Sequence, residues 1–94
     1  MHKFREFFQP QLAAILEKYR KELGLTQTKL AEYLAISTRY YSDLKKGKSL
    51  LGAIELILLM KLLPVEKKLQ LILDLEELTE SREFQACLCK IDFI

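Results

Sequence analysis

The side chains best equipped for chemistry are concentrated in one basic segment, residues 18–48. It holds eight lysines and arginines against three acidic residues, a balance of +5, whereas residues 66–94 hold four bases against seven acids, a balance of −3. The formal net charge of +2 is the sum of these opposed segments, because the rest of the chain cancels. Ammonium and guanidinium groups attract phosphate oxygens, so residues 18–48 are suited to bind a polyanion.

Neither a catalytic site nor a metal site is expected. The single histidine is His2, and there is no glycine-rich phosphate loop and no carboxylate pair in a predicted cleft. The groups for acid–base or nucleophilic catalysis are therefore missing. Cys87 and Cys89 are too few for a zinc site, which takes about four ligands, and we interpret them as free thiols in a reducing cytosol. We predict that the protein is not an enzyme and has no cofactor, no metal and no evident small-molecule effector.

Length and composition favour a single helical domain. The chain has 94 residues, 20 of them leucine, with one valine, three glycines and two prolines. This bias makes a β-sandwich, a barrel or a multi-domain enzyme improbable. The most apolar stretch, residues 50–63, is interrupted by Glu55 and Lys61 and is shorter than the roughly twenty residues that span a bilayer. The charged start lacks the apolar run of a signal peptide, so we expect a cytoplasmic protein without a membrane partner.

The pattern divides into an arm or short helix over residues 1–10, a domain over 11–78 and an extension over 79–94. Pro10 suits the first turn of a helix that Gly24 ends. A nearly all-apolar helix should begin between Ser49 and Gly52 and run to about residue 63. Pro64 then opens a fifth helix that ends near residue 78. Its predicted inward residues are Leu69, Ile72, Leu73 and Leu75.

Two short helices stand between these elements. Thr26 is a good N-cap for a helix from Gln27 to about residue 34, and Ser37 for one from Thr38 to about residue 46, which Gly47 ends. Isolated helices of about eight residues are marginal in water, so each must pack against a neighbour. Two such helices joined by a three-residue turn are typical of a helix-turn-helix, placed here at about residues 26–46.

Residues 19–63 resemble the Cro/phage-repressor-like helix-turn-helix family, often called the XRE family. The runs that carry the resemblance are Arg20-Lys21-Glu22-Leu23-Gly24-Leu25-Thr26-Gln27, Leu30-Ala31, Leu34-Ala35-Ile36-Ser37, Tyr41-Ser42-Asp43-Leu44, Lys46-Gly47-Lys48 and Met60-Lys61-Leu62-Leu63. They cover about half of the chain and need no gap. The resemblance implies an all-α, five-helix repressor-like DNA-binding domain, followed here by a short C-terminal helical extension.

In such a domain the third helix lies in the major groove with its first turn against the base edges. Tyr41 and Leu44, three residues apart, then point back into the core. The candidates for base contact are Thr38, Arg39, Tyr40 and Asp43. Arg39 can reach guanine O6 and N7 with two hydrogen bonds, or contact phosphate without reading sequence. Tyr40 either stacks on the DNA or packs on the helix surface. Asp43 either accepts from cytosine N4 or pairs with Arg39 or a nearby lysine, and we favour the pairing slightly.

The resemblance also implies contacts with DNA phosphates. The family often uses a glutamine like Gln27 at the start of the second helix, where free N–H groups favour an anion. The expected set is Gln27, Thr28, Ser37, Ser42, Lys46 and Lys48, with a plain cap or a solvated surface as the alternative for each. One departure concerns Arg20: relatives pair it with an acid where this chain has Lys45, so Arg20 must find another partner, such as Glu17, or face phosphate.

One recognition helix reads only a few base pairs, so we expect a homodimer on a palindromic site. The spare apolar surface lies mainly in the C-terminal half, and the extension over residues 79–94 either embraces the partner or folds back on its own domain. The predicted interface residues are Leu58, Met60, Leu62, Phe84, Leu88, Ile91 and Phe93.

The sequence therefore predicts a regulator of transcription that binds double-stranded DNA, most simply a repressor in a bacterial or phage setting. The alternative is a protein-interaction module on the same fold, such as an antitoxin-like or polymerase-contacting partner that binds a protein through its C-terminal tail. The +5 balance over residues 18–48 favours DNA, since a pure scaffold has no need of it.

Overall fold

Five helices make up the part of the chain that the computed structural model describes, residues 2–80. They are α1 (His2–Leu23), α2 (Gln27–Tyr33), α3 (Thr38–Lys45), α4 (Ala53–Leu62) and α5 (Val65–Glu80), and no strand occurs within these residues. The predicted all-α, five-helix class is confirmed. The extension proposed for residues 79–94 lies outside the described residues from position 81 onward.

The first helix is longer than predicted. It runs from His2 through Pro10 without a break, so residues 2–10 are the first part of α1, and the expectation of a separate arm or short helix is wrong there. Proline has no N–H to offer the preceding turn. The loop after α3 lies beside Pro10, since a Cβ built on Gly47 would stand 3.8 Å from the Pro10 Cα. This contact joins residues 37 positions apart, which a local sequence pattern cannot show.

The core forms around α1, which packs against α3 and α5, and α2 packs on α3. The buried residues of α1 and of α2 lie on one face of each helix, and Tyr41 and Leu44 are the inward residues of α3, as predicted. The largest fully buried side chains are Tyr19, Tyr41, Leu16, Leu30, Leu34, Leu44, Leu59 and Leu71. Burial of this order, about 1.5–3 kcal/mol for each large apolar side chain, holds short helices that would be marginal alone.

The inward face of α5 differs from the predicted one. Leu71 is fully buried, and Leu75 and Leu78 pack against the core, whereas Leu69 and Leu73 are each 58% exposed. Ile72 is also exposed, at 42%. Only Leu75 of the predicted inward set is correct. Because α5 has apolar residues on two faces, its periodicity alone does not decide which face turns inward.

Polar contacts decide the rotation of α5 on α1. Asp74 accepts hydrogen bonds from the Tyr19 hydroxyl at 2.7 Å and from Lys18 Nζ at 2.9 Å. Burial alone would raise the pKa of the Asp74 carboxyl, but the bonds from Lys18 and Tyr19 outweigh it and leave that pKa below its ordinary value. These contacts turn the face with Leu71, Asp74 and Leu78 towards α1.

Helix α4 starts at its predicted place, with Gly52 as N-cap. The backbone N–H of Gly52 donates to Glu55 Oε1 at 3.1 Å, which is the half of a capping box that does not need a cap side chain. Leu59 is fully buried, while Ile54 and Ile57 are 70% and 57% exposed. The helix that is apolar nearly all round therefore buries one side and leaves the other uncovered.

Candidate nucleic-acid interface

Both short helices begin at hydroxyl caps, as predicted. Thr26 Oγ1 accepts from the backbone N–H of Lys29 at 3.1 Å, and Ser37 Oγ accepts from that of Tyr40 at 3.0 Å. Each cap satisfies one of the N–H groups that a helix start leaves free. The two helices of the helix-turn-helix are thus fixed by local sequence at their first turns.

The turn between α2 and α3 reverses the chain at Ala35. The N–H of Ala35 bonds to the Glu32 carbonyl at 3.1 Å and that of Ile36 to the Ala31 carbonyl at 3.0 Å, which is a Schellman ending. Ala35 has φ +58°, in the left-handed region that favours glycine. The turn leads the chain to Ser37 and sets the direction of α3 relative to α2.

Helix α3 has one buried and one exposed side. Tyr41 and Leu44 are buried, as predicted, whereas Thr38 and Arg39 are exposed. Since α3 is fixed from behind by two core residues, its first turn presents side chains to solvent from a rigid support. This is the arrangement that a recognition helix needs.

Two of the predicted base-contact residues, Tyr40 and Asp43, are less exposed than Thr38 and Arg39. Tyr40 packs partly against the core, and its hydroxyl lies 3.5 Å from the Leu50 carbonyl, so part of its ring is already used in packing. Asp43 is half-buried. Within residues 2–80 it makes no ion pair with Arg39 or with a lysine, so the pairing that we slightly favoured is not found.

The cations of the basic segment fall into two groups. Lys18, Arg20 and Lys29 are neutralised by acidic partners at 2.9–3.5 Å. The other five have no ion pair within the described range, and four of them lie on α3 or in the turn that follows. These four exposed residues are Arg39, Lys45, Lys46 and Lys48. The positive charge of the segment that has no acidic partner in the described residues therefore lies mainly on α3 and in the turn that follows it. The N-cap and the core fix this helix in place.

A small polar network joins α1 to both short helices. Arg20 donates to Glu17 through Nε and Nη2 at 3.1 and 3.0 Å, and its Nη1 donates to the Leu25 carbonyl at 2.7 Å. The hydroxyl of Tyr41 donates to Glu17 Oε2 at 2.7 Å. Arg20 has thus found Glu17, one of the two partners considered, and is occupied inside the domain.

This network keeps Glu17 charged. Burial alone would raise the pKa of the Glu17 carboxyl, but hydrogen bonds from Arg20, Tyr41 and Gln27 and the charge of Arg20 lower it below its ordinary value. Burial and the hydrogen bond to Glu17 raise the pKa of the Tyr41 hydroxyl, which stays protonated as a donor. Sequence reasoning did not assign Glu17 a central role, although its i,i+3 spacing to Arg20 is a recognisable helical pair.

The predicted phosphate contacts differ in how much of each side chain is exposed. Thr28, Lys46 and Lys48 are exposed, Ser42 is half-buried, and Ser37 is exposed while it caps α3. Gln27 is half-buried, and it contributes to the lowered pKa of the neighbouring Glu17 carboxyl.

The predicted dimer residues divide into two sets. Leu58, Met60 and Leu62 pack partly against the core of their own domain, so little of them is free for a partner. Phe84, Leu88, Ile91 and Phe93 lie outside the described residues. The most exposed apolar residues of α4 are instead Ile54 and Ile57.

Two short capped helices, a tight turn and a basic, exposed α3 define a helix-turn-helix DNA-binding domain. Residues 16–69, more than half of the chain, match the helix-turn-helix family model of the XRE type. No significant match was found among curated proteins or among solved structures. The chain belongs to the XRE-type helix-turn-helix family, and it is a DNA-binding regulator of transcription. None of the helices in residues 2–80 is both long and apolar enough to cross a membrane.

Proposed function

We propose that the protein is a repressor that binds a palindromic operator in double-stranded DNA as a homodimer in the cytoplasm. The observation that carries the proposal is the division of α3 into two sides. Tyr41 and Leu44 lie in the core, and Arg39 on the first turn is exposed and has no ion pair within residues 2–80. A short helix held rigidly from behind can enter the major groove without losing its own packing.

Within this proposal the first turn of α3 reads bases. Arg39 donates two hydrogen bonds to guanine O6 and N7, and Thr38 contacts a neighbouring base edge. Asp43 accepts from cytosine N4, since no cation neutralises it within residues 2–80. Tyr40 contributes through the part of its ring that the core leaves free.

The phosphate contacts surround this turn. Lys46 and Lys48 follow α3, while Gln27 and Thr28 lie at the N-terminus of α2, where backbone N–H groups favour an anion. Ser37 and Ser42 supply hydroxyls on either side of the recognition residues. These contacts fix the register of the domain on DNA, and the base contacts select the sequence.

Selection of bound duplexes from a random library tests the proposal. We expect the full-length protein to enrich a palindrome whose half-sites lie about 34 Å apart. Arg39→Ala should lose about 1–3 kcal/mol on the selected site and relax the preference at one base pair in each half-site. Lys61→Ala, which removes an exposed lysine at the end of α4, is the matched control and should leave the preference unchanged. Failure to bind any duplex at low salt would contradict the DNA-binding role and favour the protein-interaction alternative.

A further inference from the structure

Lys45 is an exposed cation on α3 that the sequence did not assign to DNA. It lies in the last turn of the helix, and within residues 2–80 it makes no ion pair. An ordinary role for a lysine in this place is to compensate the negative end of the helix dipole. That role does not depend on where around the helix the side chain lies, whereas a contact with a ligand does.

The carboxylate that α3 contacts on α1 is already occupied. Tyr41 stands one turn before Lys45, and its hydroxyl donates to Glu17 Oε2 at 2.7 Å. Arg20 donates to both oxygens of Glu17, at 3.1 Å to Oε2 and at 3.0 Å to Oε1. Since Arg20 neutralises Glu17 inside the domain, the charge of Lys45 stays uncompensated at the surface of the described residues.

Lys45 lies on a flank of α3, between its buried side and its base-reading side. Thr38, Ser42 and Lys45 follow one another at the i, i+4, i+7 spacing of a single helix row. Helical geometry places this row between the buried Tyr41 on one side and Arg39 on the other. When the side with Arg39 faces the floor of a groove, the row that ends in Lys45 therefore faces its edge.

We propose that Lys45 binds a phosphate of the DNA strand that borders this flank of α3. The major groove is about 12 Å wide and a helix with its side chains is about 10–12 Å across. Side chains on the flank of a helix in the groove therefore lie against the sugar–phosphate backbone, where an ammonium group finds an anion. The inference rests on the DNA binding by α3 in the proposed function and adds one charged contact to it.

Duplex binding by the full-length protein over a range of salt concentrations tests the contact. Lys45→Ala should reduce the slope of log Kd against log salt by about 1 per domain, and it should weaken binding to the selected site and to random duplexes alike. Lys45→Arg keeps the charge and should keep the wild-type slope. A role in the helix dipole alone would lower the folding stability of Lys45→Ala in urea and leave the slope unchanged, which would overturn the contact.

Lys21→Ala is the matched control. Lys21 is also exposed, lies in the last turn of its helix and makes no ion pair within residues 2–80. It lies two residues after the buried Tyr19, on the side of α1 that faces away from the core, and its removal should leave the slope unchanged. An equal reduction in Lys21→Ala, or a reduced slope in Lys45→Arg, would overturn the contact and leave the DNA-binding proposal in place. A wild type that binds no duplex at low salt would overturn both.

Discussion

Ala35 is the residue whose backbone is least suited to its side chain. The helices α1, α2 and α3 all end in the same Schellman arrangement, and the left-handed position is Gly24 after α1, Gly47 after α3 and Ala35 after α2. A Cβ in that region costs roughly 1–2 kcal/mol. The helix-turn-helix thus contains one strained residue at the corner that orients its recognition helix.

Ala35→Gly should therefore stabilise the protein by about 0.5–1 kcal/mol. The relief of left-handed strain exceeds the backbone entropy that glycine loses on folding, and the exposed methyl group of Ala35 contributes little packing. Urea denaturation measures the difference. The converse change, Gly47→Ala at φ +75°, should destabilise the protein by about 1 kcal/mol. The same sign for both variants would contradict this account of the turns.

The two tyrosines at the centre of α3 have different roles. The hydroxyl of Tyr41 donates to the charged Glu17 at 2.7 Å, whereas that of Tyr40 lies 3.5 Å from the Leu50 carbonyl. Tyr41→Phe should cost about 1.5–3 kcal/mol of folding stability, as expected for a hydrogen bond to a charged group. Tyr40→Phe removes the same atom from the neighbouring residue and should change stability by less than about 0.5 kcal/mol. Thermal denaturation of the two variants side by side distinguishes a network residue from a surface residue.

At the scale of the helices, carboxylates of lowered pKa tie α1 to its neighbours. Glu17 connects α1 to α3 through Tyr41, and Asp74 connects α5 to α1 through Tyr19 and Lys18. A carboxyl whose folded pKa lies below its unfolded value stabilises the fold fully above the unfolded pKa and loses that contribution as pH falls through the folded one. The domain should therefore lose stability below about pH 4.5, near the ordinary pKa of a glutamate side chain.

Glu17→Gln should separate this contribution from general acid effects. At pH 7 the variant should be less stable by about 2 kcal/mol, because partly buried Arg20 loses its counter-charge. Between pH 5 and 3 its stability should fall less steeply than that of the wild type, since one titrating group is gone. Urea midpoints over this range provide the measurement. Glu76→Gln, at an exposed position outside every ion pair of residues 2–80, is the control and should keep the wild-type slope.

The sequence predicted those elements that local chemistry determines. Thr26 and Ser37 mark α2 and α3 because capping depends on residues within one turn, and Tyr41 and Leu44 are inward because α3 has a single apolar face. The rotation of α5 was not predictable, since it depends on bonds from Asp74 to residues 55 and 56 positions away. For the site, the sequence predicted Arg39, Lys46 and Lys48 as DNA contacts but not Lys45. Which cations remain without an ion pair in residues 2–80 became clear only from the packed helices.

At the scale of the whole molecule, basic and acidic residues lie on different surfaces of the domain. In the part of the chain that the structure describes, the bases of segment 18–48 without an ion pair are mainly on α3 and its following turn. The exposed acids of α5 are concentrated in the second half of that helix. Acidic residues near DNA would oppose binding, so we expect α3, and not the acidic second half of α5, to face the groove. The net charge of +2 conceals this division.

The salt dependence of operator binding tests that assignment. If each domain neutralises five or six phosphates, log Kd should vary with log salt with a slope of magnitude near 5 per domain. The double variant Lys46→Ala, Lys48→Ala should reduce that magnitude by about 2 per domain and weaken binding to specific and random duplexes alike, because phosphate contacts do not read sequence. Lys67→Ala removes a lysine that is paired with Glu22 on the α1–α5 side and should leave the slope unchanged. An unchanged slope in the double variant would show that the DNA binds elsewhere on the domain. If the slope falls but Arg39→Ala keeps the sequence preference, Lys46 and Lys48 contact phosphate and Arg39 does not read a base.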